Sequence, residues 1–211
     1  MILLIGGEKG GTGKSTIATN LAAYLSQRNG DILIIDSDPQ ATSSKWVARR
    51  EKNFPQHPNI HCVQKTGDVY ETIKDVASRY KNVIIDAGGR DSEELRTAML
   101  VARKLYIPIR ASQPDLETIT HMSKLVAMAK SMNRSLDSQV ILSIAPTNPL
   151  INEVAEAKSL LKQLKHINLS NCIIRDRKSY RDAMSEGVGV VEIESGKAKN
   201  EINLLAEEIF S

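Results

Sequence analysis

A lysine and a serine stand side by side at Lys14-Ser15, closing the stretch Gly6-Gly7-Glu8-Lys9-Gly10-Gly11-Thr12-Gly13. Two apolar runs farther along each stop on an acid. Ile32-Leu33-Ile34-Ile35-Asp36 continues as Ser37-Asp38-Pro39-Gln40, and Val83-Ile84-Ile85-Asp86 continues as Ala87-Gly88-Gly89. A cation, a hydroxyl and three carboxylates gathered in one place would bind a polyphosphate together with a hard divalent ion. The glycines come first, because without Cβ atoms successive N–H groups turn inward as an anion-binding nest at the positive end of a helix. Lys14 adds a mobile charge for the outer phosphate oxygens, and the Ser15 hydroxyl can ligate Mg2+. Glu8 stands where the common phosphate-loop pattern G-x-x-x-x-G-K-[ST] has its first glycine, so the fit fails by one residue.

The elements that must position these groups are legible as alternating patterns. Short runs rich in Ile and Val predict strands at Ile2–Ile5, Ile32–Ile35, Ile60–Val63, Val83–Ile85, Leu105–Ile109 and Val140–Ile144, with a weaker one at Asn171–Ile174. Most lack in/out alternation, as strands buried on both faces do. Apolar residues at three- and four-residue spacing predict helices over Ser15–Arg28, Val69–Tyr80, Glu93–Arg103, Glu117–Met132 and Asn152–Leu164, and a final amphipathic one from about Lys199 to Ile209. Strand–helix alternation implies a single α/β domain over residues 1–211, with a mostly parallel sheet and helices on both faces. In such a sheet ligands sit beyond the carboxyl ends of strands, which aims Asp36, Asp38 and Asp86 at the Gly-rich loop.

Composition narrows the class. The 211 residues are 41% apolar and 25% charged, ordinary for a globular chain. No apolar run approaches the ~18–20 residues of a membrane span. With the first strand starting at Ile2, neither a signal peptide nor an N-terminal helix-turn-helix is expected. Cys62 and Cys172 are too few for a disulfide framework, which favours a reducing cytoplasm. His57, His61 and Cys62 lie close together, but no second cluster completes a metal site. The net charge of +3 permits nucleic-acid contact through a local patch without arguing for it.

The misfit at Glu8 has an explanation by resemblance. Lys9-Gly10-Gly11-Thr12-Gly13-Lys14-Ser15-Thr16 resembles the deviant Walker A motif K-G-G-x-G-K-[ST]-T of the ParA/MinD family of P-loop ATPases. Asp36-Ser37-Asp38-Pro39-Gln40 resembles the family's D-x-D-P-Q signature, and the strand ending at Asp86 looks like its Walker B. Nearest are the small, ParF-like plasmid-partition members. The resemblance implies a P-loop NTPase fold that binds ATP and Mg2+ through Lys9 to Thr16. Lys9 would reach the partner's phosphates across a sandwich dimer, the arginine-finger logic carried by a lysine. Asp36 would hold a water of the metal shell, Asp38 would position the attacking water, and Asp86 would be an outer-shell group beside Ser15. Thr147 and Asn148, after a late strand, are where the family contacts adenine.

The resemblance further implies an ATP-dependent homodimer, extending to higher-order polymers, in the bacterial cytoplasm or on the nucleoid. Its partners would be nonspecific DNA and a centromere-binding adaptor, ParB-like or ribbon-helix-helix, that stimulates slow hydrolysis. Arg175, Arg177, Lys178 and Arg181 fall where ParA-type dimers touch DNA phosphates; the bland reading is a solvated helix start beside Asp176 and Asp182. Lys45, Arg49, Arg50 and Lys52 form a second basic cluster, for which the bland reading, an amphipathic helix around Trp46 and Val47, is the stronger one. Among rivals, a MinD-type membrane ATPase would need a basic terminal helix, whereas residues 201–210 are acidic. An iron–sulfur carrier would need cysteines shared across a dimer. A ligase of the dethiobiotin or cobyrinate synthetase type stays open.

Overall fold

The computed structural model describes residues 1–28, 30–148, 153–193 and 196–211. Within them the chain alternates β1 (Ile2–Ile5), α1 (Lys14–Ser26), β2 (Ile32–Asp36), α2 (Thr42–Asn53), β3 (His61–Gln64), α3 (Tyr70–Ala77), β4 (Asn82–Asp86) and α4 (Glu93–Met99). It continues through β5 (Lys104–Ile109), α5 (Gln113–Met132), β6 (Asp137–Ala145), α6 (Glu153–Leu161), β7 (Asn168–Arg175), α7 (Lys178–Glu186) and α8 (Lys197–Phe210). The strands form one sheet in the order β3-β2-β4-β1-β5-β6-β7, with every pairing parallel.

The unbroken apolar runs are explained by burial on both faces. Along β1, Leu3 and Ile5 point to one face and Leu4 to the other; in β2, Ile32 and Ile34 oppose Leu33 and Ile35. One face is covered by α1, α2, α7 and α8, through Leu21, Trp46, Tyr180 and Ile202. The other is covered by α3, α4, α5 and α6, through Ile73, Leu95, Val126 and Leu161. Trp46, the chain's one tryptophan, is fully buried, and its indole N–H donates to Val188 O at 3.2 Å.

Several boundaries differ from expectation, for local reasons. Helix α4 stops at Met99 rather than Arg103, and the Asn133 amide donates to the carbonyls of both Met99 and Ala102. Helix α5 begins at Gln113, four residues early, with Pro114 in its first turn, where a missing N–H costs nothing. Strand β3 runs one residue later than Ile60–Val63 and lies at the sheet edge. Strand β7 is longer than Asn171–Ile174, because β6 pairs with it from Asn168 through two register shifts. The expected helix start at Asn152 lies outside the described residues. The apolar face of α8 is in the core, and its C-terminal end is fixed by Glu208, which accepts from the Tyr106 hydroxyl, the Ser170 hydroxyl and the Asn171 N–H.

Candidate nucleotide site

Strand register does most of the assembly. Ile5 pairs with Asp86, and Asp86 pairs with Asp36. The Gly-rich loop and two of the three acids therefore leave the sheet side by side. Two glycines of the loop adopt conformations that L side chains rarely take, Gly11 with a φ of 68° and Gly13 with 84°. Three of its carbonyls are met by side-chain donors: Lys14 Nζ on Lys9 O at 2.6 Å, Arg110 Nη2 on Gly11 O at 2.7 Å, and Ser143 Oγ on Thr12 O at 2.5 Å. A hollow of about 570 Å³ lies against the loop, lined also by Asp38, Gln40, Thr42 and Gly89.

The acids are oriented by the first turn of α2. Asp36 Oδ2 accepts both the N–H and the hydroxyl of Ser44, at 2.8 and 2.9 Å. Asp86 Oδ2 accepts the Ser43 hydroxyl at 2.7 Å. Asp86 is fully buried, and its Oδ1 has no hydrogen-bond partner. Burial raises its pKa to about 7, against the pull of Ser43 and Ser15 and with a further push from Asp36. A buried, unsatisfied carboxylate oxygen beside a serine hydroxyl suits a hard divalent cation, and an all-oxygen donor set suits Mg2+. Lys14 is also buried; desolvation lowers its pKa, while Asp86, Asp38 and Asp115 act to raise it. Asp38 accepts the Gln40 N–H at 2.9 Å and lies over Gly88.

Five groups at this site escaped the sequence reading: Ser43, Ser44, Arg110, Asp115 and Ser143. Arg110 follows β5 directly, so its place at a strand's carboxyl end was a usable signal. Asp115 is buried with Oδ1 unpartnered and Oδ2 accepting from Ser112. Next to Ser143, Ile144 holds a φ of 51°, a strained conformation for a β-branched residue, and its side chain lies 3.8 Å from where a Cβ on Gly13 would stand. At Gly89, after the strand that ends on Asp86, only glycine fits: a Cβ there would lie 2.6 Å from Gly10 Cα and 2.7 Å from Gly10 N. The two loops touch backbone to backbone.

Beside Gly13 and Thr16 a second cleft of about 520 Å³ runs between the ends of β6 and β7, lined by Ile144, Ile174, Tyr180 and Met184. Thr147 lines a neighbouring cleft with Arg177 and Gly196. Of the basic cluster, Arg177 is clamped on Glu201 at 2.9 and 2.6 Å, and Lys178 pairs with Asp182 at 2.7 Å. Arg181 pairs with Asp176, and Arg175 donates to Pro146 O. In the α2 cluster, Arg50 is buried in a bidentate pair with Glu192. Cys62 and Cys172 are free thiols, both raised to about 11 by burial.

Residues 3–190 match the family described as "CobQ/CobB/MinD/ParA nucleotide binding domain". The chain belongs to this family. Maintenance of carboxysome distribution protein A of Halothiobacillus neapolitanus is 27% identical over 99% of this chain and 95% of its own. Among solved structures, an ATP complex of McdA from Cyanothece superposes with a TM-score of 0.80 at 18% identity, over 99% of this chain and 95% of that one. MinD of Pyrococcus horikoshii with Mg-ADP does so with a TM-score of 0.78 at 19% identity, over 100% and 96%. The P-loop NTPase fold of ParA and MinD is thus the fold of this chain. None of its helices, among the described residues, is long and apolar enough to cross a membrane.

Proposed function

We propose that this chain is a ParA-type ATPase of the bacterial cytoplasm that segregates DNA. Mg-ATP occupies the hollow over the Gly-rich loop, drives a sandwich dimer, and is hydrolysed slowly until an adaptor bound to the cargo speeds it. The observation that carries the reading is the convergence of Lys14, Ser15, Asp36, Asp38 and Asp86 at the carboxyl ends of β1, β2 and β4. Ser15, Asp36 and Asp86 would hold Mg2+, which supplies charge neutralisation at the phosphates. Lys14 gives up its contact with Lys9 O to bind phosphate oxygens. Asp38 orients water for attack, the cleft beside Gly13 takes the base, and Thr147, from the neighbouring cleft, and Asn148 would contact it.

A second cargo is favoured by two observations. A relative that matches over nearly all of both chains is named for carboxysome distribution. Arg177, Lys178 and Arg181 are each already paired with an acid, which leaves less free charge for DNA phosphates. Retardation of random-sequence DNA, with and without ATP, separates the readings. Wild type should shift DNA only with ATP, more weakly as salt rises, and Lys14→Ala should not shift it at all. ATP turnover without any shift, even at low salt, would remove DNA as the ligand and leave a positioning ATPase with another cargo. Unchanged ATP affinity in Lys14→Ala would overturn the nucleotide site itself.

A further inference from the structure

Glu8, where the common phosphate-loop pattern has glycine, does not point into solvent. Its carboxylate meets His121 Nδ1 on α5, and its side chain is only 12% exposed. Asp91, on the connection from β4 to α4, completes the group: one donor atom from each of Glu8, Asp91 and His121 lies within 4.8 Å of the other two. We propose that these three residues bind a divalent transition ion of the zinc class. Ligands about 2.0–2.2 Å from such an ion stand a little over 3 Å from one another, so the group needs only small rotations to close around it. One imidazole and two carboxylates form a mixed nitrogen and oxygen set of the kind that zinc, cobalt and manganese accept.

Arg96 decides the class further. Its guanidinium grips both oxygens of Asp91, at 2.7 and 2.5 Å, and fixes the carboxylate's aim as outer partners of ligating acids do. It also neutralises one of the two acids, which disfavours Mg2+ or Ca2+ relative to an ion drawn by imidazole. The histidines singled out in the sequence are engaged elsewhere. His57 stacks on Phe54 and lies near Glu192, and His61 meets Tyr80 edge-on. The ion would join three segments: the root of the Gly-rich loop, the β4–α4 connection and α5.

The test uses the full chain, stripped with chelator and free of nucleotide. Titration with Co2+ should give one equivalent bound with a visible absorption band, and Zn2+ should displace it. His121→Ala and Glu8→Gln should each weaken binding by about tenfold or more, with circular dichroism unchanged. His121→Gln keeps the side-chain volume and should fail likewise, which covers the case in which the alanine variant misfolds. Asp36→Ala, at the phosphate hollow, should leave the Co2+ band intact. Absence of stoichiometric binding, or a band that survives in both His121 variants, overturns the proposal. A band lost in Asp36→Ala but kept in the His121 variants overturns it too, because the ion then sits at the phosphates.

Discussion

Asp86 is the residue at which the site's energetic cost is concentrated. Its carboxyl is fully buried, with one oxygen satisfied by Ser43 and the other by nothing. With a pKa raised from 3.8 to about 7, its folded-state preference for a proton is fully satisfied below the unfolded value and lost as pH rises toward 7. The nucleotide-free protein should therefore lose stability across that interval. The loss is a few kcal/mol at most for this group, since each tenfold difference in proton affinity between folded and unfolded chain is worth ~1.4 kcal/mol. Asp86→Asn retains the shape without the charge. Its Tm should be less dependent on pH over the same interval and higher than wild type's above pH 7, while its Mg-ATP affinity falls. Thermal melts of both proteins in paired buffers check this; parallel curves would show that Asp86 is charged at no cost.

At the scale of elements, the contact between the Gly-rich loop and the β4–α4 connection sets the shape of the hollow. Gly89→Ala drives a methyl group into the backbone at Lys9-Gly10, and neither loop can yield without moving the cradle. The substitution should cost roughly 1–3 kcal/mol of stability and at least about tenfold in ATP affinity, measured by calorimetry. Gly10, with open space around its Cβ position, should tolerate alanine far better in the same assay of nucleotide-free stability. This contrast marks how far the sequence could be read. Lys14, Ser15, Asp36, Asp38 and Asp86 were visible because each sits in a motif that ends a strand. Gly89 was visible only as one of two glycines after a strand-ending acid, since its reason is a neighbour 79 residues away in the chain. Ser43 and Ser44 lie in an ordinary-looking helix start, and their role depends on strand register. The cluster around Glu8 needed α5, which no spacing rule connects to residue 8. Boundaries slipped where a tertiary bond decides them, as Asn133 does for α4.

At the scale of the molecule, Lys9 raises the question of completeness. Its carbonyl is taken by Lys14 and Thr12, but its ammonium has no ion pair among the described residues. It sits beside Gly10 and Gly11, both exposed. A lysine that serves the opposite site of a dimer should behave this way. Mixing wild type with excess Lys9→Ala, Asp38→Ala double variant tests the idea. If the lysine acts across the dimer, each wild-type site facing a variant loses its cation, and activity per wild-type subunit falls toward zero. Constant specific activity, with subunit exchange verified by labelling, would place Lys9 in service of its own site.

Trp46 turns this arrangement into an optical instrument. The only indole in the chain is sealed in the core on α2, two residues beyond the Ser44 that holds Asp36 and with the Arg50 guanidinium 5.5 Å from its ring. Any shift of α2 on loading of the phosphate hollow changes the polarity and charge around that one fluorophore. Its emission can follow the nucleotide cycle in real time without a dye or an added tag, and with no second tryptophan to dilute the signal.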